Sequence, residues 1–247
     1  MFRWRGGEIS RIEGFSDGLF AVTLTLLIVS SSVPGTFHEL WQLVVDLPVF
    51  LVSFAVVVMA WYYHYIYFRR YGLEDFVTVV LNAALLFLVL FFAFPLKFLF
   101  TFLWRMVRGG GEDMFAVPDG VSFWSEPAQR TGMMVFYGLG LLGVFGLLAL
   151  MVLRAYALRD KLELDELERY LTLASLRHHL ITVVIALISL GVLACGGAPG
   201  YAGLVYFLMG PMHGIAGWRG GRKAHALHER LMLEVTREAA REVAREA

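Results

Sequence analysis

Cysteine is almost missing from these 247 residues: Cys195 stands alone. A single thiol excludes an internal disulfide and a cysteine zinc cluster. Cys195 lies in an apolar run and reads as packing. Net charge is also missing, because 21 Lys and Arg balance 21 Asp and Glu. No overall field therefore draws the chain to nucleic acid. Enzyme signatures are absent: there is no G-x-S-x-G, no H-E-x-x-H and no P-loop. Charged residues make up only 17% of the chain, whereas hydrophobic ones make up 58% and the mean hydropathy is +0.66. A soluble domain holds about 45–50% apolar residues. The excess here comes in long blocks divided by short charged segments, the pattern of a polytopic α-helical membrane protein.

Six apolar blocks are predicted as spans, at roughly 15–33, 47–68, 76–104, 131–153, 170–195 and 200–218. The first is not read as a cleaved leader. Glu8, Glu13 and Asp17 interrupt the basic-then-apolar pattern, and the block runs into Ser-Ser-Ser-Val-Pro34 without a small-x-small site. With six spans, 17 of the 21 Lys and Arg fall on the side of the N-terminus. Only Lys97, Arg105, Arg108 and Arg130 fall on the other. The positive-inside rule then predicts both termini in the cytoplasm. The segment from Gly109 to Gly132, with Trp124, reads as the longest external loop. Ala198-Pro-Gly-Tyr201 reads as a tight external turn. Composition changes after Gly221, so residues 1–221 are expected to form a transmembrane domain and 222–247 a polar cytoplasmic helix. Glu234, Glu238 and Glu242 alternate there with Arg230, Arg237, Arg241 and Arg245 at ion-pairing spacings. Leu227, Leu231 and Val235 form a narrow apolar stripe.

The first block carries most of the chemistry. Arg11, Ser16 and Asp17 stand at its entrance, where an ionisable group so near hydrocarbon needs a partner. At 100° per residue, Phe15, Val22, Leu26, Val29 and Val33 fall on one stripe, flanked by Gly18 and Thr25. Symmetric copies of such a stripe around an axis would build stacked apolar rings, which gate pores by dewetting. Packing against lipid or another helix gives the same periodicity, and the wheel alone does not separate the two. His64, in Trp61-Tyr-Tyr-His64, and Asn82 are polar intrusions in the second and third blocks. Arg11 and Asp17 are expected to form a charge-assisted pair that His64 joins. Elsewhere, His178 and His179 point about 100° apart on a helix and do not converge on one metal ion. They read as headgroup contacts beside Arg177.

The run Arg11-x-x-x-Phe15-Ser16-Asp17, then Thr25-Leu26-Leu27 and Val33-Pro34, resembles the first helix of the transmembrane protein 175 family. These are potassium-permeable channels of prokaryotes and lysosomes. Trp61-x-x-His64, Asn82, Pro95 and Tyr137-Gly138 also match its pattern. The resemblance implies a homotetramer of six-helix subunits in a prokaryotic cell membrane, with the first helices lining a central pore. It implies a hydrophobic constriction at Val22, Leu26 and Val29, a pore threonine at Thr25, and a bracing signature of Arg11, Phe15, Ser16 and Asp17 with His64 and Asn82. The family lacks the T-V-G-Y-G filter of ordinary potassium channels, and so does this sequence. It implies no metal and no cofactor besides permeant potassium. Two constriction positions are valine here, where prokaryotic members favour leucine. Tyr65 stands where a second histidine is common.

The expectation is therefore an all-α integral membrane protein acting as a potassium-permeable channel subunit. Its partners would be itself, the bilayer and monovalent cations. A proton- or cation-coupled transporter using Asp17 and His64 is the alternative, although no internal repeat of the kind transporters show is evident. A membrane enzyme ranks last, for want of a nucleophile, metal site or paired carboxylates.

Overall fold

The computed structural model describes residues 2–29, 33–110, 114 and 126–246. Every regular element among them is helical: α1 (Arg11–Val29), α2 (Phe37–Val45), α3 (Leu47–Tyr71), α4 (Phe76–Val107), α5 (Glu126–Ala157), α6 (Glu166–Ala194), α7 (Pro199–Val205), a 3₁₀ turn (Tyr206–Leu208) and α8 (Met209–Glu246). The segment around Trp124, expected to be the long external loop, lies outside the described residues.

Local chemistry sets the helix ends. The Glu13 backbone N–H donates to the Ser10 hydroxyl at 3.2 Å and the Ser10 N–H donates to the Glu13 carboxylate at 3.0 Å. That reciprocal pair is a capping box, and it starts α1. The helix ends at Val29. Val33 lies beyond it, non-helical and exposed. This corrects the stripe expected from the sequence, which ran on to Val33. Pro34 is the reason, since a proline disfavours helical geometry in the residue before it. Thr36 caps α2. α3 carries a proline in its first turn and stops at Gly72, whose φ of +57° suits glycine. Asp165 and Glu168 form a second capping box at the start of α6.

Among the described residues, five helices (α1, α3, α4, α5 and α6) are long and apolar enough to cross a membrane. The sixth expected block, 200–218, is built from α7, the 3₁₀ turn and the start of α8. α8 passes through Gly220 and Gly221 without a break.

α1 packs against α3 and α4, α4 against α5, α5 against α6, and α6 against α7 and α8. The shared core holds Phe20 of α1, Val57, Phe68 and Tyr71 of α3, Leu85, Leu86 and Val89 of α4, and Leu148, Met151 and Val152 of α5. Lipid tails are as apolar as these side chains, so close packing rather than expulsion from water holds such helices together. Gly140 of α5 permits one close approach, because a Cβ there would come within 2.3 Å of the Phe92 ring on α4. Pro95 sits inside α4, and the Tyr137 hydroxyl of α5 donates to its carbonyl.

Candidate pore helix and its brace

α1 has two faces of opposite character. Its buried positions are Glu13, Ser16, Phe20, Thr23 and Leu27, spaced by three and four as one helical stripe. Ser16 is the inner end of a directed hydrogen-bond chain. Its hydroxyl donates to the Ile12 carbonyl at 2.7 Å, so it accepts from the Asn82 amide nitrogen at 3.0 Å. That orientation turns the Asn82 oxygen toward His64 Nε2, 2.9 Å away. An amide oxygen only accepts, so Nε2 carries the proton. Nδ1 of His64 is buried with no hydrogen-bond partner among the described residues. Three helices, α1, α3 and α4, are joined by this chain inside the apolar packing. Thr23 completes the stripe by donating to the Leu19 carbonyl.

Asp17 does not pair with Arg11, contrary to the sequence expectation. Residues six apart on a helix stand about 120° apart around the axis and about 9 Å along it. Arg11 is exposed. The Asp17 carboxylate instead accepts from the Trp61 indole at 2.8 Å. His64 belongs to the Ser16–Asn82 chain and not to a charge pair. Trp61 is thus a bracing residue whose partner the sequence did not reveal. Its signal was the i, i+3 spacing to His64, which sets both side chains on one face of α3. A cavity of about 100 Å³ lies beside them, lined by Asp17, Glu13, Trp61, His64, Tyr65, Arg69 and Ile9.

Below α1, residues 2–7 form a strap across the ends of α3 and α6. Phe2 is buried edge-on against Tyr71, with the Arg70 guanidinium 4.9 Å from its ring centroid. Gly6 N–H donates to the Arg69 carbonyl at 3.1 Å. Glu168, whose side chain is 0% exposed, holds the strap down. Its carboxylate accepts from Arg5 Nη2 at 2.5 Å and Nη1 at 3.2 Å, and from the Arg3 backbone N–H at 2.7 Å. Arg5 also donates to the Leu162 carbonyl at 2.8 Å. Nothing in the sequence joined Arg3 and Arg5 to Glu168.

The other face of α1 meets none of this. Phe15, Val22 and Val29 are 67%, 53% and 68% exposed in the single chain, Gly18 and Thr25 are exposed, and Leu26 is half-buried. The Thr25 hydroxyl, on that exposed surface, donates to the Ala21 carbonyl at 2.9 Å.

Among the described residues, no group of three or more His, Cys, Asp or Glu side chains is placed to hold a metal ion. His178 lies against His213 of α8, with ring centroids 4.2 Å apart. His179 turns away into the core, edge-on to Tyr63.

Known proteins share this sequence and fold. Residues 11–93 match the family model described as endosomal/lysosomal potassium channel TMEM175. A protein named potassium channel from Marivirga tractuosa is 35% identical over 234 residues, covering 92% of this chain and 93% of its own length. A potassium channel of Chamaesiphon minutus is 36% identical over 104 residues, 39% of this chain and 51% of its own. Among solved structures, a variant of the potassium channel MtTMEM175, crystallised with a nanobody–MBP fusion, superposes with a TM-score of 0.76 at 34% identity. It covers 90% of this chain and 97% of its own. The signature on α1, the brace it makes with α3 and α4, and the near full-length relationship lead to one conclusion: this chain belongs to the TMEM175 family.

Proposed function

We propose that the chain is a subunit of a potassium-permeable channel, with α1 lining the conduction path. One observation carries this reading. The apolar stripe of Phe15, Val22, Leu26 and Val29 is left uncovered by its own chain, while the opposite face of the same helix is closed by hydrogen bonds and packing. Four copies placed around an axis, stripes inward, would stack apolar rings at Val22, Leu26 and Val29. The rise from Val22 to Val29 is about 10 Å. Rings of this kind oppose hydration and admit only ions whose partial dehydration is compensated. Thr25 offers hydroxyl lone pairs at that level. In this reading the six helical runs cross the bilayer with both termini in the cytoplasm, and residues 222–247 hang below a membrane domain of residues 1–221. Ser16 and Asp17, with Trp61, His64 and Asn82, set the position of α1, while Arg11 and Phe15 of the same signature lie on its exposed side. The TMEM175 relatives are named as channels and not as enzymes.

Coupled transport by Asp17 and His64 gains no support. Asp17 is engaged by Trp61 and His64 by Asn82, bonds that join α1 to α3 and α3 to α4.

The test is potassium flux from proteoliposomes holding the purified chain, with sodium in a parallel run. Passive flux that favours potassium is expected. Leu26→Ala, which thins the middle ring, is expected to raise leak or reduce potassium preference. Unchanged currents at equal protein density would remove Leu26 from the pore.

A further inference from the structure

We propose that the cleft between α6 and α8 is a site for an anionic phospholipid headgroup in the leaflet next to the chain termini. Arg177 on α6 and Lys223 on α8 both lie over one ring, that of Tyr170, at 5.6 and 5.5 Å from its centroid. The Tyr170 hydroxyl donates to the Gly220 carbonyl at 3.2 Å, which ties the ring to the turn of α8 that carries the cations. Arg219 and Lys223 share a helix face, and Arg222 flanks them with its guanidinium 5.1 Å from the Trp218 ring centroid. All four cations are exposed. Among the described residues none of the four has a carboxylate partner. The nearby acids are committed elsewhere: Glu166 to Arg230, Glu168 to Arg5 and Glu229 to His225.

Four like charges gathered on two helices, two of them on one aromatic platform, form a surface that lacks its anion. Depth identifies the anion's source. From His178 to its end at Ala194, α6 is mostly apolar and rises ~26 Å, close to the hydrocarbon thickness of a bilayer. Arg177 therefore stands at the hydrocarbon boundary, where phosphate headgroups are. Trp218, 62% exposed, lies at the same level, where indoles are favoured. A polybasic cluster at that depth attracts anionic lipid. The inference rests on α6 being a membrane span and not on α1 being the pore.

The experiment uses the full-length assembly in neutral detergent. Retained lipid is read by native mass spectrometry after adding phosphatidylglycerol or phosphatidylcholine, with sn-glycerol 1-phosphate as a soluble anion. Phosphatidylglycerol is expected to be retained at least tenfold more than phosphatidylcholine. The double variant Arg177→Gln/Lys223→Gln is expected to lose that preference, with unchanged assembly because both side chains are exposed. Arg159→Gln/Lys161→Gln, in the turn between α5 and α6, is expected to keep it. Equal retention of both lipids, a preference that survives in the first double variant, or a preference lost equally in the second would overturn the proposal. Glycerol phosphate competing as well as the lipid would overturn the lipid as the source. Should the first pair fail to assemble, Arg219→Gln/Arg222→Gln carries the same test.

Discussion

Asn82 uses both halves of its amide on the inner face of α1, donating to Ser16 and accepting from His64. Val22 and Val29, on the outer face of that helix, are left 53% and 68% exposed. One face is finished within the subunit and the other is not. The difference separates two tasks that a single helix performs. Polar groups fix where the helix stands, because an unsatisfied one in hydrocarbon is costly. Apolar groups with no covering partner are free to meet copies of themselves. Residues on the first face are expected to govern stability and assembly, and those on the second to govern conduction.

The sharpest way to break this division is at the foot of the helix. Glu168→Ala leaves Arg5 largely buried without its counter-ion, and removing one member of a buried pair typically costs ~3–5 kcal/mol. The expected result is a large fall in melting temperature and in recovered assembly, read by fluorescence-detected gel filtration. A variant as stable as the parent would show that the strap holds nothing.

Next comes Asn82→Ala, which strips Ser16 and His64 of their shared partner. A loss of ~1–3 kcal/mol per unsatisfied buried group is expected, with ion preference intact in the protein that survives. Val22→Ala should do the reverse. Its stability is expected to stay within ~0.5 kcal/mol of the parent, while potassium-to-sodium flux changes. If Val22→Ala destabilises as much as Asn82→Ala, the two faces are not divided as described.

Acidification probes the start of α4, away from both faces. A hydrogen bond from the Thr78 hydroxyl holds the Asp75 carboxyl below the usual carboxylate range. Arg154, 2.9 Å away, acts in the same direction. A depressed carboxylate contributes stability that is fully present above its unfolded value, ~3.9, and is lost as pH falls through the folded value. Melting temperature is therefore expected to be insensitive to this group from pH 7 to 5 and to drop below pH 4. Asp75→Asn should flatten that drop. The smallest effect belongs to Arg230→Ala. Its pair with Glu166 is more than half exposed on both sides, and surface pairs contribute ~0–1 kcal/mol. A melting shift barely above noise, vanishing in high salt, is the expectation.

The helical architecture and most of the brace were legible in the sequence for one physical reason. A polar residue inside a long apolar run demands a partner, so Ser16, Asp17, His64 and Asn82 announced themselves before any contact was known. Partner choice was less legible. Arg11 and Asp17 looked like a pair by charge, but helix geometry turns them apart and gives Asp17 to Trp61. Glu168 was hidden because an acid in the first turn of a helix is ordinary, and nothing local joins it to arginines at the other end of the chain. The interruption near Tyr206 was hidden as well, since no proline or polar residue marks the 3₁₀ turn.

Arg5 and Glu168 are separated by 163 positions, and that spacing imposes an order in time. The strap is made before its counter-ion, which follows only after the helices up to α5 have been synthesised. Until then Phe2 and Gly6 can meet α3, through Tyr71 and Arg69, but Arg5 has no carboxylate to close on. The ion pair from the strap to α6 thus stitches α1 down only once the intervening helices have been made.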